Sequence, residues 1–207
     1  MLEIKLFFLA FFAALVGVIP PGLVNMSVAK TCVRKSKWDG TVMSFGASVI
    51  VFFQALVAIL MAKYIFDHPY VHKILLRTGL VILALMMVYF FIMANRQKER
   101  IKIEKKTGRK SFLRGMGIAA LNVFPIPFFV VISSVFNAKG QLEYSGLSIL
   151  FFSLGAALGT LTTLYLYVIS FVKIQKRTKT FAKYSNYFMG FLMMLLVIIT
   201  LFRIYVF

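Results

Sequence analysis

The first long uncharged segment of this sequence, LFFLAFFAALVGVIPPGLVNMSVA at residues 6–29, decides the fold class. It is long enough for a membrane-spanning helix, which needs about 20 mainly apolar residues, and longer than the apolar part of a signal peptide. Yet Pro20 and Pro21 stand inside it, followed by Gly22. A proline inside a helix removes a backbone hydrogen bond and clashes with the carbonyl group one turn earlier. The segment therefore predicts a retained membrane span that is unwound or kinked.

Charged residues divide the rest of the chain into five further uncharged segments of spanning length. They lie at residues 40–62, 78–95, 115–138, 144–172 and 184–202. The composition fits lipid as the solvent, because 61% of the residues are hydrophobic, against about half in soluble domains. The period-two alternation that marks transmembrane β-strands does not occur. We predict an all-α integral membrane protein with six transmembrane helices.

The basic residues predict how the spans are oriented. The formal net charge of +18 would suggest a nucleic-acid partner in a soluble protein, but here the basic residues lie between the apolar segments. Of 24 Lys and Arg residues, 18 fall in the loops after spans 1, 3 and 5, and cytoplasmic loops are enriched in these residues. We predict a multi-pass protein of the bacterial inner membrane, with both termini on the periplasmic side and no nucleic-acid partner.

The six spans divide into two halves of three. The first repeat covers 1–95 with spans at about 6–29, 40–62 and 75–95, a basic cytoplasmic linker covers 96–114, and the second repeat covers 115–207 with spans at about 115–138, 146–172 and 184–206. Because each half has an odd number of spans, the two repeats are inverted relative to each other. The prolines also recur, since Pro125 and Pro127 interrupt the first span of the second half as Pro20 and Pro21 interrupt that of the first.

Interrupted spans at matching positions of two halves are the best sequence indication of a transporter binding site. Backbone that is freed from a helix in lipid persists only against protein or a water-filled cavity. We predict substrate-binding or gating roles for Pro20, Pro21, Gly22, Asn25, Gln54, Asn122, Pro125 and Pro127. Two other interpretations stay open: the breaks are packing kinks, or the three amide side chains only satisfy freed carbonyl groups and join helices.

Small residues and missing residue types complete the prediction. Gly46, Gly155 and Gly159 belong to small-xxx-small patterns and are predicted to let helices pack closely. Such patterns leave the oligomeric state open, a homodimer included. No acidic or histidine residue lies in the interior of a span, and no nucleotide-binding, metal or hydrolase motif occurs. We therefore expect no metal site, no cofactor and no enzymatic activity.

Four short segments carry a family resemblance that runs nearly end to end. They are Gly17-Val18-Ile19-Pro20-Pro21-Gly22, Gly40 with Gly46, Phe112-Leu113-Arg114-Gly115 followed by Asn122, and Tyr187-Phe188-Met189-Gly190-Phe191. These segments resemble motifs of the lysine-exporter (LysE-type) translocators, which include the homoserine and threonine efflux proteins. The sequence departs from the family at Pro20-Pro21-Gly22, where Pro-Gly-Pro is typical, and at Asn122-Val123-Phe124, where Asn-Pro-Lys is typical. Gln54 stands where the family often has histidine.

The resemblance implies a small bacterial transporter that exports amino acids or related metabolites from the cytoplasm. Together with the interrupted spans, it predicts alternating access, in which one repeat rocks against the other around a site between the first and fourth helices. Half-helix N-termini there would face a carboxylate, and unwound carbonyl groups would accept an ammonium, which suits a zwitterionic amino acid. The alternative is a non-transporting membrane protein that acts as an assembly factor or sensor subunit.

Overall fold

The structure is a computed structural model in which six α-helices are described. It describes residues 2–19, 22–68, 70, 80–81, 84–85, 87–89, 91–92, 108–138, 144–173, 187, 190–191, 193–195 and 197–202. The helices are α1 (Leu2–Gly17), α2 (Leu23–Arg34), α3 (Lys37–Asp67), α4 (Gly108–Leu121), α5 (Pro125–Ala138) and α6 (Gly146–Lys173). Within the described residues, every regular element is an α-helix, as expected for an all-α membrane protein.

The first predicted span is divided into two helices. α1 ends at Gly17 and α2 begins at Leu23, with Gly22 in extended backbone as its N-cap. The last turn of α1 tightens, because the amide of Ile19 bonds the carbonyl of Val16 three residues earlier at 3.2 Å. Pro20 and Pro21, whose rings were predicted to cause this break, lie outside the described residues.

The fourth predicted span is also divided. α4 and α5 meet at a bend of 65° across residues 122–124. The cause is chemical, because Pro125 and Pro127 have no N–H with which to continue the helical hydrogen bonds of α4.

Two unbroken helices, α3 and α6, are long and apolar enough to cross a membrane, and the bent pair makes a third span if it is counted as one. At about 1.5 Å per residue, the 31 residues of α3 exceed the hydrocarbon thickness of a bilayer. The predicted spans at 75–95 and 184–206 are described only in part, and neither is described as a continuous helix. The six-span count and the inverted repeat therefore stay predictions.

α4 begins at Gly108, so residues 108–114 of the cytoplasmic linker predicted at 96–114 are helical. Ser111, in its first turns, is fully buried and donates a hydrogen bond from Oγ to Oδ1 of Asp39 at 2.8 Å. The basic residues Arg109, Lys110 and Arg114 are exposed on the other faces of the helix. The charges that suggested a loop therefore belong to an amphipathic helix end.

Asp39 lies in the first turn of α3, which begins at Lys37, three residues before the predicted span. Its backbone amide bonds Oγ of the N-cap Ser36 at 3.0 Å, and Ser36 donates in return to Oδ2 of Asp39 at 2.7 Å. An acidic side chain is favourable at this helix end, because the helix dipole places partial positive charge there. Asp39 is nevertheless fully buried, since α4 covers it.

The helices enclose two apolar clusters. The first, which we call cluster A, consists of Leu6, Ala10, Ala14, Val51, Ala55, Ala58, Ile59, Phe129, Phe152 and Ala156. The second, cluster B, consists of Val24, Val28, Cys32, Met43, Ala47, Ala119, Leu164 and Val168. Both α3 and α6 contribute to both clusters, so these two long helices connect the two ends of the bundle.

Glycines allow two helix pairs to approach until their backbones touch. A Cβ atom at Gly155 or Gly159 of α6 would collide with the carbonyl oxygen of Phe7 or Phe11 in α1. A Cβ atom at Gly46 of α3 would collide with the carbonyl oxygen of Phe112 in α4. These three glycines therefore stand where only a residue without a side chain fits between two helices.

The outer faces of the same helices are strongly apolar. On α1, Phe8, Phe12 and Val16 are each more than half exposed, and on α3 so is Phe53. Side chains of this size exposed in rows are unfavourable in water but stable against lipid. The bundle therefore presents a lipid-facing surface outside and packs small residues inside.

Replacing Gly115 of α4 by alanine should destabilise the protein, because the new Cβ would collide with the carbonyl oxygen of Met43 in α3. Overpacking of this kind typically costs about 1–3 kcal/mol. The control is Gly117→Ala two residues away, where no atom lies within 4 Å of the added Cβ. Melting temperatures in detergent should fall for Gly115→Ala alone, and equal melting of both variants would contradict the packing.

Candidate functional site

Polar side chains of α2, α3 and α6 lie buried or half-buried near the two helix breaks, and we call this set the polar layer. It consists of Asn25, Gln54, Thr160, Thr163 and Tyr167. On α6, Thr160 stands one turn from Ala156 of cluster A and one turn from Leu164 of cluster B. On α3, Gln54 follows Val51 and precedes Ala55 of cluster A, while Ala47 of cluster B lies two turns before it. All members of the polar layer except Thr160 bond the backbone at one of the two helix breaks.

At the first break, side chains bond the carbonyl groups that the end of α1 leaves free. Oγ1 of Thr163 donates to the carbonyl of Leu15 at 3.0 Å, and the hydroxyl of Tyr167 donates to that of Ile19 at 2.6 Å. Nδ2 of Asn25 donates to the carbonyl of Val18 at 2.5 Å. Two of these three donors come from α6, and the third comes from α2, just beyond the break.

At the second break, Gln54 of α3 does the same for α4. Its Nε2 donates to the carbonyl of Ala119 at 3.0 Å and to that of Asn122 at 2.9 Å. The amide of Asn122 closes the helix by bonding the carbonyls of Ile118 and Ala119 at 3.2 and 3.0 Å. Because Nε2 has two hydrogens and each faces a carbonyl, both donors of the side chain are used.

Each of the two breaks is bonded by a long helix that belongs to the other half of the chain. α3 from the first half of the chain bonds the break of α4 and α5, and α6 from the second half bonds the break of α1 and α2. The register also agrees, since Gly46 precedes Gln54 by eight residues and Gly155 precedes Thr163 by eight residues. In both helices a glycine at the close contact is followed, two turns later, by the side chain that bonds the freed carbonyls.

The two breaks also touch each other. A Cβ atom at Gly17, the last residue of α1, would collide with the ring of Phe128 in α5. That ring stacks on Phe124, which belongs to the second break, at 6.4 Å between ring centroids. The structure therefore brings together the two interrupted regions that lie more than a hundred residues apart in sequence.

The predicted site residues differ in what their groups do. Gly22 is the N-cap of α2 and has no side chain to cap its first amides. The start of α5 offers no such amides, because Pro125 and Pro127 have none while Ile126 and Phe128 bond the carbonyls of residues 123 and 124. Only the first break therefore retains the chemistry of an open helix N-terminus.

The three amide side chains also differ. Those of Asn25 and Gln54 bond freed carbonyl groups, whereas that of Asn122 makes no hydrogen bond to any described residue. Sequence reasoning missed Thr163 and Tyr167 as partners of the first break. The one signal for Thr163 is its position eight residues after Gly155, which matches that of Gln54 after Gly46 and becomes meaningful only once the structure is known.

Two polar atoms of the layer are buried without a hydrogen-bond partner among the described residues. They are Oε1 of Gln54 and Oγ1 of Thr160. Within the same part of the chain, no group of three or more His, Cys, Asp or Glu residues is placed to hold a metal ion. The chemistry of this layer is therefore that of neutral hydrogen-bonding groups.

Comparison with known families identifies one match. The family model described as LysE type translocator matches residues 6–202. This range includes both helix breaks and all residues of the polar layer. Neither the curated proteins nor the solved structures include a match to the chain.

Replacing Thr163 by valine should lower the melting temperature, because the carbonyl of Leu15 loses its partner across the helix interface. Hydrogen bonds between membrane helices average about 0.6 kcal/mol and reach about 1.7 kcal/mol. Thr162→Val is the matched control, since that hydroxyl bonds only the carbonyl of Leu158 in its own helix at 2.8 Å. A melting temperature lowered by the same amount in both variants would show that the interhelical bond contributes nothing.

Proposed function

The chain belongs to the LysE type translocator family, and from this membership we propose that it exports an amino acid or a related small metabolite from the cytoplasm by alternating access. Family membership makes it a membrane transport protein and not an enzyme, and the long apolar helices agree with a multi-pass protein. We further propose a bacterial inner-membrane location with both termini on the periplasmic side. Six spans in two inverted repeats remain part of this proposal.

The observation that carries the proposal is the pair of adjoining helix breaks, each bonded by side chains from the other half. A scaffold gains nothing from two interrupted spans, because every freed carbonyl in lipid needs a partner. A transporter gains oriented backbone dipoles at the centre of the membrane, where a solute must exchange its hydration for protein groups. In each half, the second long helix bonds the break in the other half, and this equivalence supports the inverted repeat.

The chemistry of the two breaks suits a zwitterionic solute. The first break ends in the N-terminus of α2, where partial positive charge favours a carboxylate and Gly22 leaves room for one to approach. The second break consists of carbonyl groups and the unpartnered Oε1 of Gln54, which favour an ammonium group. Because the breaks adjoin at Gly17 and Phe128, a small molecule with both charges reaches both.

The tight glycine contacts indicate which helices would move together. Those at which a Cβ atom would strike the backbone of another helix join α1 to α6 and α3 to α4, and each of these pairs takes one helix from each half of the chain. Rocking of one sequence repeat against the other would separate these contacts. We propose instead that the pair α1 with α6 moves against the pair α3 with α4, and that the polar layer lies between the two pairs.

Asn122→Ala should reduce export at least tenfold, because we place its side chain in the solute site. The melting temperature should not fall, because this side chain makes no hydrogen bond to any described residue. The neighbouring Leu121, 78% exposed, provides the control Leu121→Ala. Export is measured as resistance of overexpressing cells to a panel of toxic amino-acid analogues and dipeptides, and then as efflux from proteoliposomes. Full export by Asn122→Ala would remove this residue from the site. A parent protein that moves no solute would favour an assembly factor or sensor subunit.

Cross-links distinguish the two kinds of motion. A thiol-specific linker between Phe45→Cys and Phe112→Cys, whose rings lie 6.2 Å apart, joins α3 to α4 inside one proposed unit and should leave export intact. A linker between Gly17→Cys in α1 and Phe128→Cys in α5, which continues the bent span of α4, joins the two units and should block export until it is cleaved. Both are made in a chain whose single cysteine, Cys32, is replaced by alanine. Block by both linkers would instead favour rocking of the sequence repeats.

A further inference from the structure

Two oxygen atoms in the polar layer are buried where a protein normally avoids leaving a polar group unpaired. Gln54 is 8% exposed and Thr160 is 2% exposed, yet Oε1 of the first and Oγ1 of the second bond no described residue. Buried polar atoms in native proteins nearly always have a partner, so each exception requires an explanation. A ligand that bonds these atoms during transport is such an explanation.

The structure fixes the orientation of the Gln54 side chain. Its Nε2 faces the carbonyl oxygens of Ala119 and Asn122, which can only accept hydrogen bonds. The amide cannot turn over without placing Oε1 against two other oxygens. Oε1 is therefore held as a free acceptor beside the second break.

Thr160 behaves differently from the other threonines of α6. Thr162 and Thr163 each bond the carbonyl four residues earlier in their own helix, at 2.8 and 3.2 Å, as helical threonines commonly do. Thr160 makes no such bond, although its side chain is almost completely buried. Its hydroxyl is therefore free to bond a group that enters beside α6.

No carboxylate shares the layer with these oxygens among the described residues. Glu3 lies at the start of α1, Asp39 in the first turn of α3 and Asp67 at its end. The remaining three acidic residues, Glu99, Glu104 and Glu143, lie outside the described residues and outside the predicted spans. An unbalanced positive charge in this layer would be desolvated without a counter-charge, which is strongly unfavourable.

We propose that Oε1 of Gln54 and Oγ1 of Thr160 bind the ammonium group of a zwitterionic solute with an uncharged side chain, and that the same subsite excludes basic amino acids. A zwitterion carries the carboxylate that balances its ammonium, whereas lysine or arginine carries a second, unbalanced positive charge. This inference rests on the proposed function, because it assigns a subsite within the same transport site. It names Thr160 as a substrate-binding residue.

The test replaces Thr160 by valine, which keeps the shape and removes the hydroxyl. If the hydroxyl serves only the fold, its removal either changes nothing or lowers the melting temperature. We expect Thr160→Val to melt no lower than the parent, because a buried unpaired group is removed, and to bind solute about tenfold more weakly. Thr160→Ser, which retains the hydroxyl, should keep parental binding, and Thr162→Val should behave like the parent.

Binding is measured as the rise in melting temperature of the purified protein with L-alanine, L-threonine, L-lysine or L-arginine. The neutral pair should stabilise the parent and lose most of this effect in Thr160→Val, while lysine and arginine have none.

Unchanged binding by Thr160→Val would overturn the subsite. Stabilisation of the parent by lysine or arginine would also overturn it. So would a parent that neither L-alanine nor L-threonine stabilises. Export of the neutral pair from proteoliposomes separates the two proposals. A parent that exports nothing refutes the proposed function. A parent that exports one of the pair, with an unchanged KM in Thr160→Val, refutes only the subsite.

Discussion

Every backbone carbonyl group in the hydrocarbon region of a membrane must have a hydrogen-bond donor, and this requirement governs the rest of the structure. A continuous helix meets it internally, but two predicted spans of this chain are interrupted. The carbonyls that the interruptions release are bonded by Asn25, Thr163 and Tyr167 at the first break and by Gln54 at the second. Because Gln54 belongs to α3 while Thr163 and Tyr167 belong to α6, these bonds fix the positions of α3 and α6 relative to the breaks.

Close approach of the helices follows from the same requirement. A threonine hydroxyl extends only two bonds from its backbone, so Thr163 reaches the carbonyl of Leu15 only if α6 lies almost in contact with α1. Gly155 and Gly159 allow that contact because a Cβ atom at either would strike the backbone of α1. Gln54 has a longer side chain, yet Gly46 brings α3 to the same proximity with α4. The small residues and the hydrogen bonds are thus parts of one arrangement.

The sequence predicted the helix breaks but not all of their partners. Prolines and Gly22 act on their own backbone, so their effect is local and visible in the sequence. Thr163 and Tyr167 bond carbonyls 148 residues away, and hydroxyl side chains are too common in spans to indicate such a pairing. Asp39 stands just before the second predicted span, at residues 40–62, and its charge gave no reason to expect burial. Its burial depends on Ser111 of α4, which no local pattern reveals.

The two breaks share a geometry but differ in chemistry, and the proposed solute site depends on this difference. At the second break, Pro125 and Pro127 remove two amides and the next two are bonded within the turn, so carbonyl groups and Oε1 of Gln54 dominate. At the first break, three side chains bond the freed carbonyls, and the N-cap of α2 is Gly22, which has no side chain. One side therefore favours a positive group and the other a negative group. Two halves with identical breaks would have presented the same polarity twice, and a solute with one charge of each sign would have found no complementary orientation.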